Sequence, residues 1–89
     1  MARVQVYTTV CCPFCVRAKR LLQARGIRYD EIDVGGDPEA RADLVRRTGR
    51  RTVPQIFIDG RAIGGFEELA ALDGRAELDP LVEDDGDGA

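Results

Sequence analysis

Strand-like and helix-like periodicities alternate along these 89 residues, and two strands follow each other directly only across Asp59-Gly60. Val4, Val6 and Thr8 alternate with Gln5 and Tyr7, which predicts a strand ending near Thr9. From Pro13 the period lengthens. Phe14, Ala18, Leu21 and Leu22 recur at i, i+4, i+7 and i+8, the apolar stripe of a helix that Gly26 ends. Residues 27–34 read as a second strand with Ile32 and Val34 on one face. Asp37-Pro38-Glu39 opens a second helix: aspartate as N-cap, proline at the first helical position, glutamate near the positive end. It runs to about Thr48 with Ala40, Leu44 and Val45 inward, and Gly49 stops it. Residues 55–58 form a third strand, Asp59-Gly60 a two-residue hairpin turn, and residues 61–63 a short antiparallel fourth. After Gly64-Gly65 a last helix covers residues 66–72, Asp73-Gly74 stop it, and residues 76–82 add a final turn.

The order β-α-β-α-β-β-α predicts an α/β fold. Strand–helix–strand units imply parallel neighbours with right-handed crossovers, and the hairpin adds an antiparallel edge. A four-stranded mixed sheet is flanked by three helices. The length suits one domain, expected over residues 1–82. Residues 83–89, acidic and glycine-rich, are expected to be a disordered tail.

Cys12-Pro13-Phe14-Cys15 falls where the first strand gives way to the first helix. A helix start offers unpaired N–H groups and a positive dipole end, which favour Cys12 as thiolate, the form that attacks disulfides. Cys15, one turn along, is placed to close a disulfide with it. Pro13 fits the first helical position. The three cysteines all lie within residues 11–15, so they cannot staple distant parts of the chain and are reactive rather than a scaffold. Cys11 reads as a small apolar residue at a strand end. The core must come from apolar packing, and 44% hydrophobic residues is ordinary for that purpose.

The chain has no histidine, which removes Cys–His nucleophile pairs and imidazole zinc sites. One Cys-x-x-Cys gives zinc too few ligands, so no metal is expected. A net charge of −3, with no aromatic-basic interleaving, disfavours nucleic acid. No apolar run reaches membrane-spanning length and no signal-peptide pattern opens the chain, so a cytoplasmic monomer is the expectation.

Three motifs on this thioredoxin-like order resemble a glutaredoxin of the small dithiol bacterial type: Cys12-Pro13-Phe14-Cys15, Thr52-Val53-Pro54, and Gly64-Gly65 followed after Phe66 by Glu67-Glu68. The resemblance runs from about Val4 to Val82. It implies a glutathione-dependent thiol–disulfide oxidoreductase, with glutathione as co-substrate and with glutathionylated or disulfide-bonded proteins as clients. Cys12 is then the nucleophile and Cys15 the resolving thiol. Pro54 matches the family's cis-proline, which sets the Val53 backbone beside the sulfurs to pair with an extended γ-Glu-Cys-Gly. Arg51, Thr52, Val53, Pro54, Gly65, Glu67 and Glu68 are the implied glutathione-binding residues, with Arg50 and Arg51 steering the tripeptide's negative charge.

Three departures stand out. Thr9 replaces a lysine common in the family, Glu67-Glu68 stand where two aspartates are frequent, and Cys11 adds a thiol beside the nucleophile. Two alternatives share the fold: a redoxin that draws electrons from thioredoxin reductase and supplies ribonucleotide reductase, and an iron–sulfur carrier.

Overall fold

The computed structural model describes residues 3–10 and 12–78; Cys11 and residues 79–89 lie outside them, and with them the acidic tail and the end of the expected last turn. The elements are β1 (Val4–Thr8), α1 (Pro13–Ala24), β2 (Tyr29–Asp33), α2 (Pro38–Thr48), β3 (Gln55–Ile58), β4 (Arg61–Gly64) and α3 (Phe66–Gly74). The sheet order is β2-β1-β3-β4, with β1 parallel to β2 and antiparallel to β3, and β3 antiparallel to β4. This is the expected thioredoxin-like mixed sheet with three helices.

Each face of the sheet carries its own core. On one face Val4, Val6, Ile56 and Ile58 pack with Ala18 and Leu22 of α1 and with Leu69 of α3. On the other, Phe57 and Val34 pack with Leu44 of α2, and Tyr7, Ile32 and Ala40 close over them. Period-2 alternation in β1 and β3 explains the split, because neighbouring side chains point to opposite faces. Arg47 lays its guanidinium over Phe57, 4.4 Å from the ring centre, and donates to the Tyr7 hydroxyl at 3.2 Å.

The local signals mostly act as read. Asp37 accepts from the Ala40 N–H at 3.0 Å and caps α2, and Gly49 closes it in the left-handed region. Asp59 and Gly60 both have positive φ, 53° and 79°, the turn that matches strand twist. Gly26, with φ of 71°, ends α1 as expected. The Gly26 N–H bonds Gln23 O and the Ile27 N–H bonds Leu22 O, so Ile27 belongs to the helix cap and β2 starts only at Tyr29.

Two expectations need correction. Phe14 was placed on the buried stripe of α1 but is 49% exposed; the buried stripe is Cys15, Ala18 and Leu22. Spacings of three and four from Cys15 describe one helix face as well as those from Phe14 do, and the sheet selects that face. Gly74 does not stop α3 but is its last helical residue. The left-handed position falls on Ala76, with φ of 58°, where N–H groups of Ala76 and Glu77 bond Asp73 O and Leu72 O. The chain then turns inward to bury Leu78.

Candidate active site

Cys12 is the N-cap of α1, held extended with φ −107° and ψ 109°, and Pro13 occupies the first turn. The Cys12 Sγ accepts the Cys15 backbone N–H at 3.3 Å. It thus does with sulfur what a capping hydroxyl does with oxygen, and it lies where the helix end favours negative charge. Its other neighbour is the Val53 carbonyl oxygen, 3.7 Å away. The Val53–Pro54 peptide bond is cis. Cys15 is unbonded and 2% exposed, whereas Cys12 is half-buried. Burial pushes the Cys15 thiol up to about 11, and its hydrogen bond with Cys12 adds to the rise. Two thiols one turn apart therefore differ: Cys12 is partly open to solvent, and Cys15 is inward and held protonated.

A groove of about 230 Å³ is lined by Thr52, Val53, Pro54, Gly65, Glu67 and Glu68, with Phe14, Phe66 and Arg50 completing its walls. Six of the expected tripeptide-binding residues thus share one hollow beside Cys12. Gly65 is closely packed against the cis-proline. A Cβ there would sit 3.2 Å from the Pro54 carbonyl oxygen. Thr52 is fixed from beneath, since Gln55 Nε2 donates to its carbonyl at 2.9 Å. Glu68 folds back to accept the Gly65 N–H at 2.7 Å and pairs with Arg50 at 3.3 Å. The amide and the arginine hold its carboxyl below the usual glutamate range. Glu67 is exposed at the rim.

Arg51 is the exception. It lines a separate hollow with Pro38, Arg41, Ala42, Val45 and Arg46, and Arg50 stands in the groove instead. The groove also has an aromatic wall that none of the three sequence motifs announces. Phe14 and Phe66 lie 6.3 Å apart between ring centres, with the Arg17 guanidinium 5.4 Å from the Phe14 ring. Each of these phenylalanines stands in the first turn of its helix, Phe14 in α1 and Phe66 in α3. Among the described residues no group of three or more metal-ligating side chains is assembled, and no helix is long and apolar enough to cross a membrane.

A family model described as Glutaredoxin matches residues 4–63. The chain is 48% identical over 83 residues to Glutaredoxin 3 of Escherichia coli strain K12, across 93% of this chain and 100% of that protein. It is also 48% identical over 82 residues to a glutaredoxin of Pseudomonas aeruginosa, across 92% and 98% of the two. Among solved structures, the crystal structure of a buckwheat glutaredoxin–glutathione complex superposes with TM-score 0.87 at 31% identity, covering 96% of this chain and 80% of that one. The solution structure of glutaredoxin from Brucella melitensis gives TM-score 0.82 at 45% identity, covering 92% and 89%.

Proposed function

This chain belongs to the glutaredoxin family of thiol–disulfide oxidoreductases, and from that premise we propose that glutathione is its co-substrate, with Cys12 as nucleophile and Cys15 as resolving thiol. The carrying observation is the position of Cys12 Sγ, between the Cys15 N–H and the Val53 carbonyl, beside the groove. A buckwheat relative of the same fold is a glutathione complex, which supports the same reading of the groove.

The Cys12 thiolate attacks a protein–glutathione disulfide at the glutathione sulfur. The protein thiolate leaves and takes up a proton. The glutathionyl adduct lies extended along Thr52, Val53 and Pro54, with its γ-glutamyl end toward Gly65, Glu67 and Glu68. The N-terminal amides of α3 suit its carboxylate and an acid suits its ammonium. A second glutathione attacks the adduct, releases glutathione disulfide and restores Cys12. With a protein disulfide, Cys12 attacks first and Cys15 displaces the client, leaving a Cys12–Cys15 disulfide for glutathione to reduce. Arg51 contributes to charge steering. We place the enzyme in the cytoplasm, acting as a monomer over residues 1–82; the clustered thiols support a reducing compartment.

Cys12→Ser is expected to abolish both reactions. Cys15→Ser is expected to lose protein-disulfide reduction and keep most deglutathionylation. The same assays with glutathione plus its reductase, or with thioredoxin reductase, each supplied with NADPH, identify the electron source. Reduction by thioredoxin reductase alone would remove glutathione from the mechanism.

A further inference from the structure

Behind the cysteines, on the side away from the groove, a second cavity of about 200 Å³ is lined by Cys12, Cys15, Lys19, Thr8, Glu31 and Asp33, among others. Lys19 stands four residues after Cys15, on the same face of α1. Its ammonium donates to Glu31 Oε2 at 2.9 Å, and the same oxygen accepts the Thr8 hydroxyl at 3.1 Å. The Lys19 side chain is 26% exposed, so the ammonium is held at the cavity rather than spread into solvent. The titratable and charged groups round the cavity are Cys12, Cys15 and Lys19 from the helix side and Glu31 and Asp33 from β2; Thr8 of β1 and the Thr9 and Val10 that follow it add no charge. Asp33 is engaged by the Gly35 N–H at 2.8 Å. Among the described residues lining the cavity, Lys19 is the only cation.

We propose that Lys19, anchored by Glu31 and Thr8, is the positioning residue that makes Cys15 a nucleophile once Cys12 has been capped by a substrate sulfur. This rests on the division of labour between Cys12 and Cys15 given above. In the free enzyme burial comes first in opposing ionisation of Cys15, and the hydrogen bond and charge of Cys12 add to it; a backbone hydrogen bond with Thr9 and, after it, the Lys19 charge pull the other way. When Cys12 is bonded to a substrate sulfur, its opposing hydrogen bond and charge are gone, and burial remains against the Thr9 backbone and Lys19, the one side-chain charge of the two. The Cys15 thiol then gives its proton to solvent at the cavity mouth. Its sulfur electron pair forms the bond to Cys12, the bond from Cys12 to the substrate sulfur breaks, and that pair leaves on the substrate thiolate, which takes up a proton. The two cysteines lose two electrons and the substrate disulfide gains two.

A nearby opposite charge moves a pKa by about one unit or more. Removing it lowers the thiolate fraction about tenfold, and the greater nucleophilicity of a more basic sulfur returns roughly threefold. The test mixes the full-length reduced protein with glutathione disulfide and follows closure of the Cys12–Cys15 bond by acid quench and mass spectrometry across a pH series. Lys19→Met is expected to slow closure about three- to fourfold at neutral pH and to displace the pH profile upward by about one unit. Lys19→Arg is expected to restore most of the rate. Lys19→Gln gives the same test if the methionine variant does not fold. A Lys19→Met profile that overlays wild type, or a Lys19→Arg as slow as Lys19→Met, overturns the inference. If wild type itself never closes the bond, the resolving role of Cys15 has failed, and the inference with it.

Discussion

At Glu68 a single carboxylate joins the Gly65 N–H, 2.7 Å away, to the Arg50 guanidinium at 3.3 Å, so it stabilises the start of α3 and shapes the groove together. Gly65 has no side chain to return the bond, so this is half of a capping box. The Gly65 amide is the main reason its carboxyl lies below the ordinary value of 4.5, with Arg50 assisting. A folded-state value below the unfolded one adds stability above pH 4.5, and that stability is lost as pH falls through the folded value. The side chain is 41% exposed, so solvent screening limits the contribution to about 0.5 kcal/mol. Glu68→Gln keeps an acceptor for Gly65 and removes the charge. It is expected to be less stable than wild type by about 0.5 kcal/mol at neutral pH and equal to it in acid below that window, by urea titration. A gap that persisted in acid would assign the loss to packing. The sequence marked Glu68 as acidic and near a helix start, but its pairing with Arg50, which approaches from another loop, is not a local signal. Cys12, Val53 and Gly65 were legible because each belongs to a short motif at a turn. Lys19 and Glu31 were not, since they lie 12 residues apart and meet only when α1 crosses β1 and β2.

Helix ends were the most legible elements where a residue had only one structural use. Asp37 and Gly49 bracket α2 where local chemistry puts them, as does Gly26 at the end of α1. The end of α3 was misread because two signals competed. Gly74 offered a left-handed stop, but burying Leu78 in the core on the α1 side goes with two more residues of helix, and the left-handed position then falls on Ala76. Alanine at positive φ costs about 1–2 kcal/mol relative to glycine, because its Cβ approaches the following carbonyl. Ala76→Gly is therefore expected to raise stability by about 0.5–1 kcal/mol, after subtracting the greater freedom of glycine in the unfolded chain. The check is a rise in the urea midpoint at unchanged slope. Destabilisation would show that the Ala76 methyl contributes packing that outweighs its backbone cost.

Over the whole molecule the net charge is −3, yet Arg46, Arg47, Arg50 and Arg51 fall within six consecutive residues that run from the last turn of α2 to the groove. Arg46 and Arg47 share Asp43, at 3.2 and 3.8 Å, and Arg50 faces Glu68. The Arg51 guanidinium has no ion pair among the described residues, and its backbone carbonyl accepts from Arg41 at 3.0 Å. Its hollow also holds Arg41 and Arg46, so three arginines line the end of the molecule next in sequence to Thr52 of the proposed glutathione groove. Glutathione carries two carboxylates and one ammonium at neutral pH. Its long-range attraction to that end must come from charges that are neither cancelled nor bound in the groove, and Arg51 is the clearest of these. Steering acts on capture rather than on the bound complex, and it weakens as the screening length falls from roughly 30 Å at 0.01 M salt to about 3 Å at 1 M. Arg51→Gln is expected to lower kcat/KM for a glutathionylated peptide about two- to threefold in dilute buffer, with the difference gone near 1 M salt and kcat unchanged throughout. A deficit that stayed constant across the salt series would mean that Arg51 reaches the bound tripeptide directly. A wild-type rate insensitive to salt would leave recognition to the short hydrogen-bonding reach of Thr52, Val53 and Gly65.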